Sequence, residues 1–464
     1  MLDEQERIPG NRVARVAPLV GMAGRTAGEA VAASLRKRRH PDTDLTEFHT
    51  KQADRYAERL GRSRGVLMKA GQMLSFVAMD PAVESPYRGI YQAAFARLQD
   101  DAPPMPPQLA IDTVTAELGR PPRELFAQFD PHPLAAASIG QVHAATLPDG
   151  RRVAVKVQYP GVEAAIRADL KNTELLATFL QLVLTVAPGL ARMDVRAMAA
   201  EIAERIGEEV DYRIEAANQQ TFVDLYRGHP FIRIPEILPE FSGRRVLTMD
   251  LSDGIRYAKA VAAEQSLRDA WGEAIYRYVT GTLLRWQVFN ADPHPGNYLF
   301  HPDGTVTFLD FGCVKRFTPE VWQTFHALTQ AAMAGDAPGI MRAAVDGGFL
   351  DPADQTDPQA LLDFYSHGLR EVLRPQPFTF TPEFAADNLR EAASPRGRHS
   401  PVIRRLQLDA GYVSLSRRVT GITSVLGGLR ATGPWRAIVA EYDSDGPPAT
   451  PYGELEAAYL RARR

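Results

Sequence analysis

A chain of 464 residues exceeds one average domain and is long enough to bury a large core. Its 45% hydrophobic and 23% charged residues are ordinary for a soluble globular protein, and a net charge of -3 argues against a dedicated nucleic-acid binder. The single cysteine, Cys313, rules out an internal disulfide and suits a reducing cytoplasm.

The start, Met1 to Arg12, is polar and charged and does not read as a secretory signal. Residues 1–45 form a basic, amphipathic arm. Val13, Val16, Leu19, Val20, Val31 and Leu35 are mixed with Arg12, Arg15 and Arg25, and a basic run closes it at Arg36–Arg39. Such a helix can lie on an anionic membrane surface. The plainer reading is an arm that packs on the body or on a second copy of the chain. No clean membrane-spanning run is present. Leu175–Leu190 is short for one and contains Gln181 and Pro188, so it reads as a buried helix.

Residues 46–107 read as a helical extension. Leu60, Leu67 and Leu74 recur at heptad spacing, and Lys69 and Gln72 share a face. The proline cluster Pro103–Pro107 ends it. Residues 108–249 form the next segment. A loop rich in alanine, Pro133–Val142, is followed by an alternating strand, Arg151–Gln158, with Lys156 in its apolar run. Alanine disfavours positive φ, so that loop should be stiffer than a glycine-rich one. Helices are expected over Val162–Leu190 and roughly Val195–Tyr226. The second carries Glu209, Asp211 and Glu215, with Asp211 and Glu215 one turn apart on one face. Phe231–Pro235 and Arg244–Met249 read as short strands.

Residues 250–442 look mainly helical. Tyr276–Phe289 is an apolar-rich helix that leads into Ala291-Asp292-Pro293-His294-Pro295-Gly296-Asn297. The prolines stiffen that loop and Gly296 permits a bend. His294 reads as a loop-stabilising hydrogen-bond partner, because no second His or Cys lies at ligand spacing. Asp303-Gly304 marks a hairpin that presents Asp310-Phe311-Gly312 beyond its second strand. Gly421–Leu429 reads as core, with a lipid-facing groove as the alternative. Residues 443–464 are a linker and a short charged helix.

An acid, an amide five residues on, and a second acid before glycine suit phosphoryl transfer. That chemistry needs metals held between phosphate oxygens and a carboxylate placed at the nucleophile. Asp310 and Asn297 can hold the metal, and Asp292 stands where the acid would act. With Lys69-Ala70-Gly71-Gln72, Ala135–Val142, Lys156, Glu209-Val210-Asp211 and Ala291–Asn297 in order, the chain resembles the ADCK/UbiB (AarF) family of atypical kinases over roughly residues 45 to 435. The departures are Asn290 where the family often has His, and Met249-Asp250-Leu251 in place of the usual hinge.

The resemblance implies an α+β, atypical protein-kinase-like fold with two lobes and an N-terminal helical extension. It implies that Lys156 orients the phosphates of ATP or ADP, paired with Glu215, and that Asn297 and Asp310 bind Mg. Asp292 is implied as acid/base. Ala135, Ala136, Ala137, Ser138, Ile139, Gly140, Val142, Met249 and Leu251 are expected around the nucleotide. Lys69, Gln72, Glu209 and Asp211 are expected to shape a closed pocket, with Lys69 near the two carboxylates.

Phe317-Thr318-Pro319-Glu320 follows Gly312 almost at once, which leaves little room for a peptide-docking segment. That counts against an ordinary protein kinase, and the resemblance implies an ATPase that supports isoprenoid-lipid or ubiquinone metabolism. The expected location is cytoplasmic or peripheral at the inner face of a membrane. An isoprenoid lipid, an anionic membrane, a biosynthetic protein complex and a second copy are the candidate partners. The alternatives are phosphotransfer to a small molecule or lipid, and a nucleotide-sensing scaffold that binds lipid or protein.

Overall fold

The computed structural model describes residues 50, 105–137, 139–170, 207, 209–353, 355–393, 398–403, 405–407, 410–444 and 446–463. The N-terminal arm, Lys69, Gln72 and Ser138 lie outside the described residues. So does Leu175–Leu190, and the helix expected from Val162 is described only over Val162–Leu170.

In chain order the main elements begin with helix α1 (Pro107–Leu118) and strands β1 (Gln128–Ala137), β2 (Gly140–Thr146) and β3 (Arg152–Gln158). Helices α2 (Val162–Leu170) and α3 (Tyr212–Tyr226) come next, then β4 (Ile232–Arg233) and β5 (Val246–Asp250). Helix α4 (Gln265–Trp286) precedes β6 (Val288–Asn290), β7 (Tyr298–Phe300), β8 (Val306–Phe308) and β9 (Val314–Arg316). Helices α5 (Pro319–Ala334), α6 (Ala337–Asp346) and α7 (Pro358–His367) follow, then β10 (Phe378–Thr379) and α8 (Pro382–Ala393). The chain continues through α9 (Ala410–Leu429), β11 (Thr432–Gly433), α10 (Trp435–Asp443) and α11 (Pro451–Ala462).

Two compact units divide the chain: residues 1–214 with 237–251, and residues 215–236 with 252–464. In the first, β1, β2, β3 and β5 form an antiparallel sheet in that order. β3 is central, and its residues from Val153 to Gln158 are all buried. The alternation read from the sequence therefore does not separate a wet from a dry face here. The alanine tract also differs from expectation. Ala135, Ala136 and Ala137 are strand residues paired with Val142, Gln141 and Gly140, so the loop is a tight hairpin rather than an open turn. Glycine is needed at its exit, because a Cβ on Gly140 would stand 2.2 Å from the Val157 carbonyl oxygen.

The helix expected from Val195 to Tyr226 is interrupted. Gly207 and Glu209 are helical, Val210 is a turn, and α3 starts only at Tyr212. The Tyr212 N–H donates to the Arg244 carbonyl instead of to its own helix. The Asp211 carboxylate accepts the Arg213 N–H at 3.1 Å, as an N-cap does. Asp211 therefore precedes the helix and does not share a helical face with Glu215.

In the second unit, α4 runs through the core with Trp271, Ala274, Ile275 and Tyr278 buried. It stops at Gln287, a left-handed residue (φ 52°), and feeds β6 directly, so the helix expected over Tyr276–Phe289 ends before Val288. β7 and β8 pair across the Asp303-Gly304 turn, where Asp303 Oδ1 accepts the Thr305 N–H and Gly304 has φ 82°. The strand expected at Phe231–Pro235 shortens to β4, which pairs in parallel with β8 and not with the sheet that holds Lys156. From α9, Ile422, Val425, Leu426 and Leu429 are buried in this core, which takes the place of the lipid-facing alternative.

Candidate functional site

The loop Ala291–Asn297 is held in part by its own short-range bonds. The His294 N–H donates to the Asp292 carbonyl, and the Asn297 N–H donates to the His294 carbonyl. His294 Nδ1 accepts the Gly296 N–H at 3.1 Å, which is the loop-holding role expected of it. Asn297 Nδ2 donates to the Asp292 carbonyl at 3.3 Å, which leaves the amide oxygen as its acceptor. From outside, α9 presses on the loop: a Cβ on Gly421 would lie 2.4 Å from Pro293 Cγ.

The Asp-Phe-Gly segment lies against this loop. β6 pairs with β9, the Ala291 N–H donates to the Cys313 carbonyl, and the Leu309 N–H donates to the Asn297 carbonyl. Asp310 Oδ1 accepts the Gly312 N–H at 2.9 Å, which orients the carboxylate. Phe311 is fully buried 5.0 Å from Phe222 of α3, and its carbonyl accepts Asn218 Nδ2. Val279, Asn290, Pro293, Asn297, Tyr298 and Asp310 line one small cleft. Burial, with the charge of Asp292 second, raises the Tyr298 hydroxyl well above its usual range, so it stays protonated.

Asp310 and Asn297 thus both line one small cleft. Among the described residues there is no cluster of three or more His, Cys, Asp or Glu side chains placed to hold a metal alone. One carboxylate and one amide oxygen fit a magnesium ion that takes its remaining ligands from phosphates and water. They do not form a closed all-protein site.

In the first unit, residues directly opposite across strands share a sheet face. The register aligns Ala135, Val142, Lys156 and Leu247 in one row, and Met249 pairs with Ala154 two positions along. Ala135, Val142, Lys156 and Met249 therefore face one way. Ala137 pairs with Gly140, which pairs with Gln158, and belongs to the same face. Ala136 points to the other face, Ile139 is buried in the turn, and Leu251 follows β5 with its N–H donated to the Arg152 carbonyl. The Lys156 ammonium sits 5.0 Å from the centre of the Tyr212 ring, and the residue as a whole is buried.

Gln158, on the same face as Lys156, donates to the Val210 carbonyl, in the middle of the Glu-Val-Asp segment. Glu209 is half-buried. Asp211 is held below the usual carboxylate range, first by the Arg213 guanidinium at 2.6 Å, against burial, and also by Arg244. Glu215 is buried in the first turn of α3.

The residue that sequence reasoning missed is Asn290. In the sequence it stands out only as a departure from the family pattern. Its Nδ2 donates to the Asp310 carbonyl at 2.5 Å and its Oδ1 accepts the Asp292 N–H at 2.9 Å. A polar residue at the end of the strand just ahead of the loop was the one available signal.

A sheet with a buried strand lysine, and a hairpin that delivers an Asp-Phe-Gly turn against an acid–amide loop, define a kinase-like protein. Residues 97–344 match the ABC1 atypical kinase-like domain, and the chain belongs to that family of ADCK/UbiB atypical kinases. It is 32% identical over 354 residues to the rat "Atypical kinase COQ8B, mitochondrial", covering 75% of this chain and 65% of that protein. It is 30% identical over 347 residues to "Atypical kinase COQ8, mitochondrial" of Saccharomyces cerevisiae, covering 74% and 67%. The chain thus spans about two thirds of the length of these curated relatives. Among solved structures it is similar to Rv3197 of Mycobacterium tuberculosis, determined in complex with erythromycin. That likeness has a TM-score of 0.60 at 26% identity and covers 89% of this chain and 98% of the other. Among the described residues no helix is long and apolar enough to cross a membrane.

Proposed function

We propose that this chain is an atypical kinase-like ATPase that binds Mg–ATP and supports isoprenoid-lipid or ubiquinone metabolism. The observation that carries the reading is that Asp310 and Asn297 line one cleft, with the Asp292 loop bonded along the Asp-Phe-Gly segment. When bound, magnesium would supply Lewis-acid stabilisation of charge on the phosphate oxygens. In this reading Asp310 and Asn297 hold the metal and Asp292 orients the attacking water or hydroxyl and accepts its proton. Lys156 orients phosphate oxygens, and Glu215 is its counter-charge. The role of the family's Lys-x-Gly-Gln helix and of Glu209 and Asp211 in closing the pocket belongs to the same proposal.

The short path from Gly312 through β9 to Thr318, which caps α5, supports water or a small acceptor over a protein substrate. The partners that fit are an anionic membrane surface or an isoprenoid lipid. The test is γ-labelled ATP with magnesium, with and without anionic liposomes, comparing wild type with Asp310→Asn. Label released as phosphate, stimulated by liposomes and lost in the variant, is the expected result. Label transferred to an extracted lipid or metabolite would replace the ATPase by a phosphotransferase. Nucleotide binding with neither product would favour a nucleotide-sensing scaffold.

A further inference from the structure

Asn290 ends β6 immediately before the catalytic loop, and its side-chain amide is used at both ends. The donor end reaches the Asp310 carbonyl at 2.5 Å, and the acceptor end takes the Asp292 N–H at 2.9 Å. Neither bond belongs to the β6–β9 ladder, which runs between main-chain groups with Asn290 opposite Val314. The amide is therefore a cross-brace between the residue read as the acid and the residue read as the metal ligand. It lines the same cleft as Asp310 and Asn297.

We infer that Asn290 is a positioning residue that sets the spacing of Asp292 and Asp310, an inference that rests on the roles proposed above for those two. The chemistry explains why an amide serves. It presents one donor and one acceptor on a single planar group and does not titrate. A carboxylate at this position would keep the bond from Asp292 but lose the donor to the Asp310 carbonyl. It would also add a second negative charge beside the metal ligand. An imidazole offers one donor and one acceptor only while neutral. The amide keeps the brace closed at every working pH.

The test uses the full chain and compares wild type, Asn290→Ala and Asn290→Asp in magnesium-dependent phosphate release from roughly pH 5.5 to 8. Asn290→Ala should lower kcat about 10- to 100-fold, since a small misplacement of reacting groups has an effect of this size. KM for ATP should move by less than about threefold, because phosphate contacts remain. Asn290→Asp keeps the acceptor for the Asp292 N–H and loses the donor to the Asp310 carbonyl, so its kcat should also fall. A side chain that only stabilised the fold would not separate kcat from KM in this way.

Amide hydrogen exchange at Asp292 in the ligand-free chain reads the same brace without turnover, and should speed up in Asn290→Ala. Wild-type kcat in Asn290→Ala, or unchanged exchange at Asp292 in that variant, would each overturn the inference. If wild type itself neither binds nor hydrolyses Mg–ATP, the proposed function falls. The exchange result alone then decides whether the brace exists.

Discussion

At Gly140 one added methyl group would stand 2.2 Å from the Val157 carbonyl oxygen and 2.9 Å from the carbon that bears it. Both atoms are backbone of β3, so nothing flexible can yield. Gly140→Ala should therefore force β2 away from the strand that holds Lys156. The expected loss is about 1–3 kcal/mol of stability, read as a lower denaturant midpoint with an unchanged slope. An unchanged midpoint would show that the hairpin gives way easily. Motif reading found Gly140 as part of a loop near phosphates, but the structure adds a packing reason that a motif cannot state. The same limit applies to Asn290. Spacing alone picks out Asp292, Asn297 and Asp310 as candidates, because the roles proposed for them depend on which side chains occur at which intervals. Asn290 works through the Asp292 N–H and the Asp310 carbonyl, main-chain groups that no residue pattern names. Asp211 is similar, since its helix break follows from Tyr212 bonding to Arg244.

Among the elements, the terminal helix α11 departs furthest from a sequence reading of linker plus short charged helix. Its Glu456 is 3% exposed and meets Arg277 of α4, itself fully buried, at 3.1 Å. Arg277 also holds Glu441 at 2.8 Å, 164 residues away, and Glu273 at 2.7 Å. Glu456 accepts the Tyr442 hydroxyl at 2.6 Å. Tyr452 stacks on Phe231 at 4.3 Å and donates to the Gly304 carbonyl. The helix carries Tyr452, Leu455, Tyr459 and Leu460 among its charges, but nothing local names what they dock on, because these partners outside the helix are distant in sequence or on another element. Glu456→Ala leaves part of the Arg277 charge uncompensated in the interior. It should destabilise the protein by about 3–5 kcal/mol, measurable by denaturant unfolding.

Two groups of this cluster make it sensitive to acid. Burial lowers the His229 pKa from its ordinary 6.5, and the Glu456 carboxylate 3.8 Å away does not reverse that. Its Nδ1 accepts the Ile232 N–H at 3.2 Å, which also favours the neutral ring. A depressed folded pKa stabilises the fold fully above 6.5, and that contribution is lost as pH falls below it. For Glu456 burial pushes the pKa up, but His229, Tyr442, Arg285 and Arg277 outweigh it and hold the carboxyl below 4.5. Its contribution is present above 4.5 and is lost only at more acid pH. The melting temperature should thus fall in two stages on acidification. His229→Gln should shrink the first stage, to which the similarly depressed His143, His301 and His367 also contribute, and a fall that persisted unchanged would exclude His229 as a source.

At the scale of the whole molecule, the kinase-like class was legible because its motifs are ordered along the chain, and those within the described residues sit on local elements. The hairpin at Asp303-Gly304 and the strand of Lys156 formed where the residues pointed. Pairing between distant strands was less legible. β4 looks like a neighbour of β5 in sequence and instead pairs with β8, a choice made by long-range packing of Phe231 and Ile232 into the second unit's core. The central claim is that this molecule gathers Asn297 and Asp310 into a magnesium-dependent nucleotide site. The most direct test is ATP binding to the full chain by calorimetry, with and without magnesium, for wild type and Asp310→Asn. Binding that requires magnesium and weakens by about tenfold or more in the variant, roughly the loss of one charge-assisted contact, is the predicted result. Equal affinity with and without magnesium, unchanged by Asp310→Asn, would contradict it.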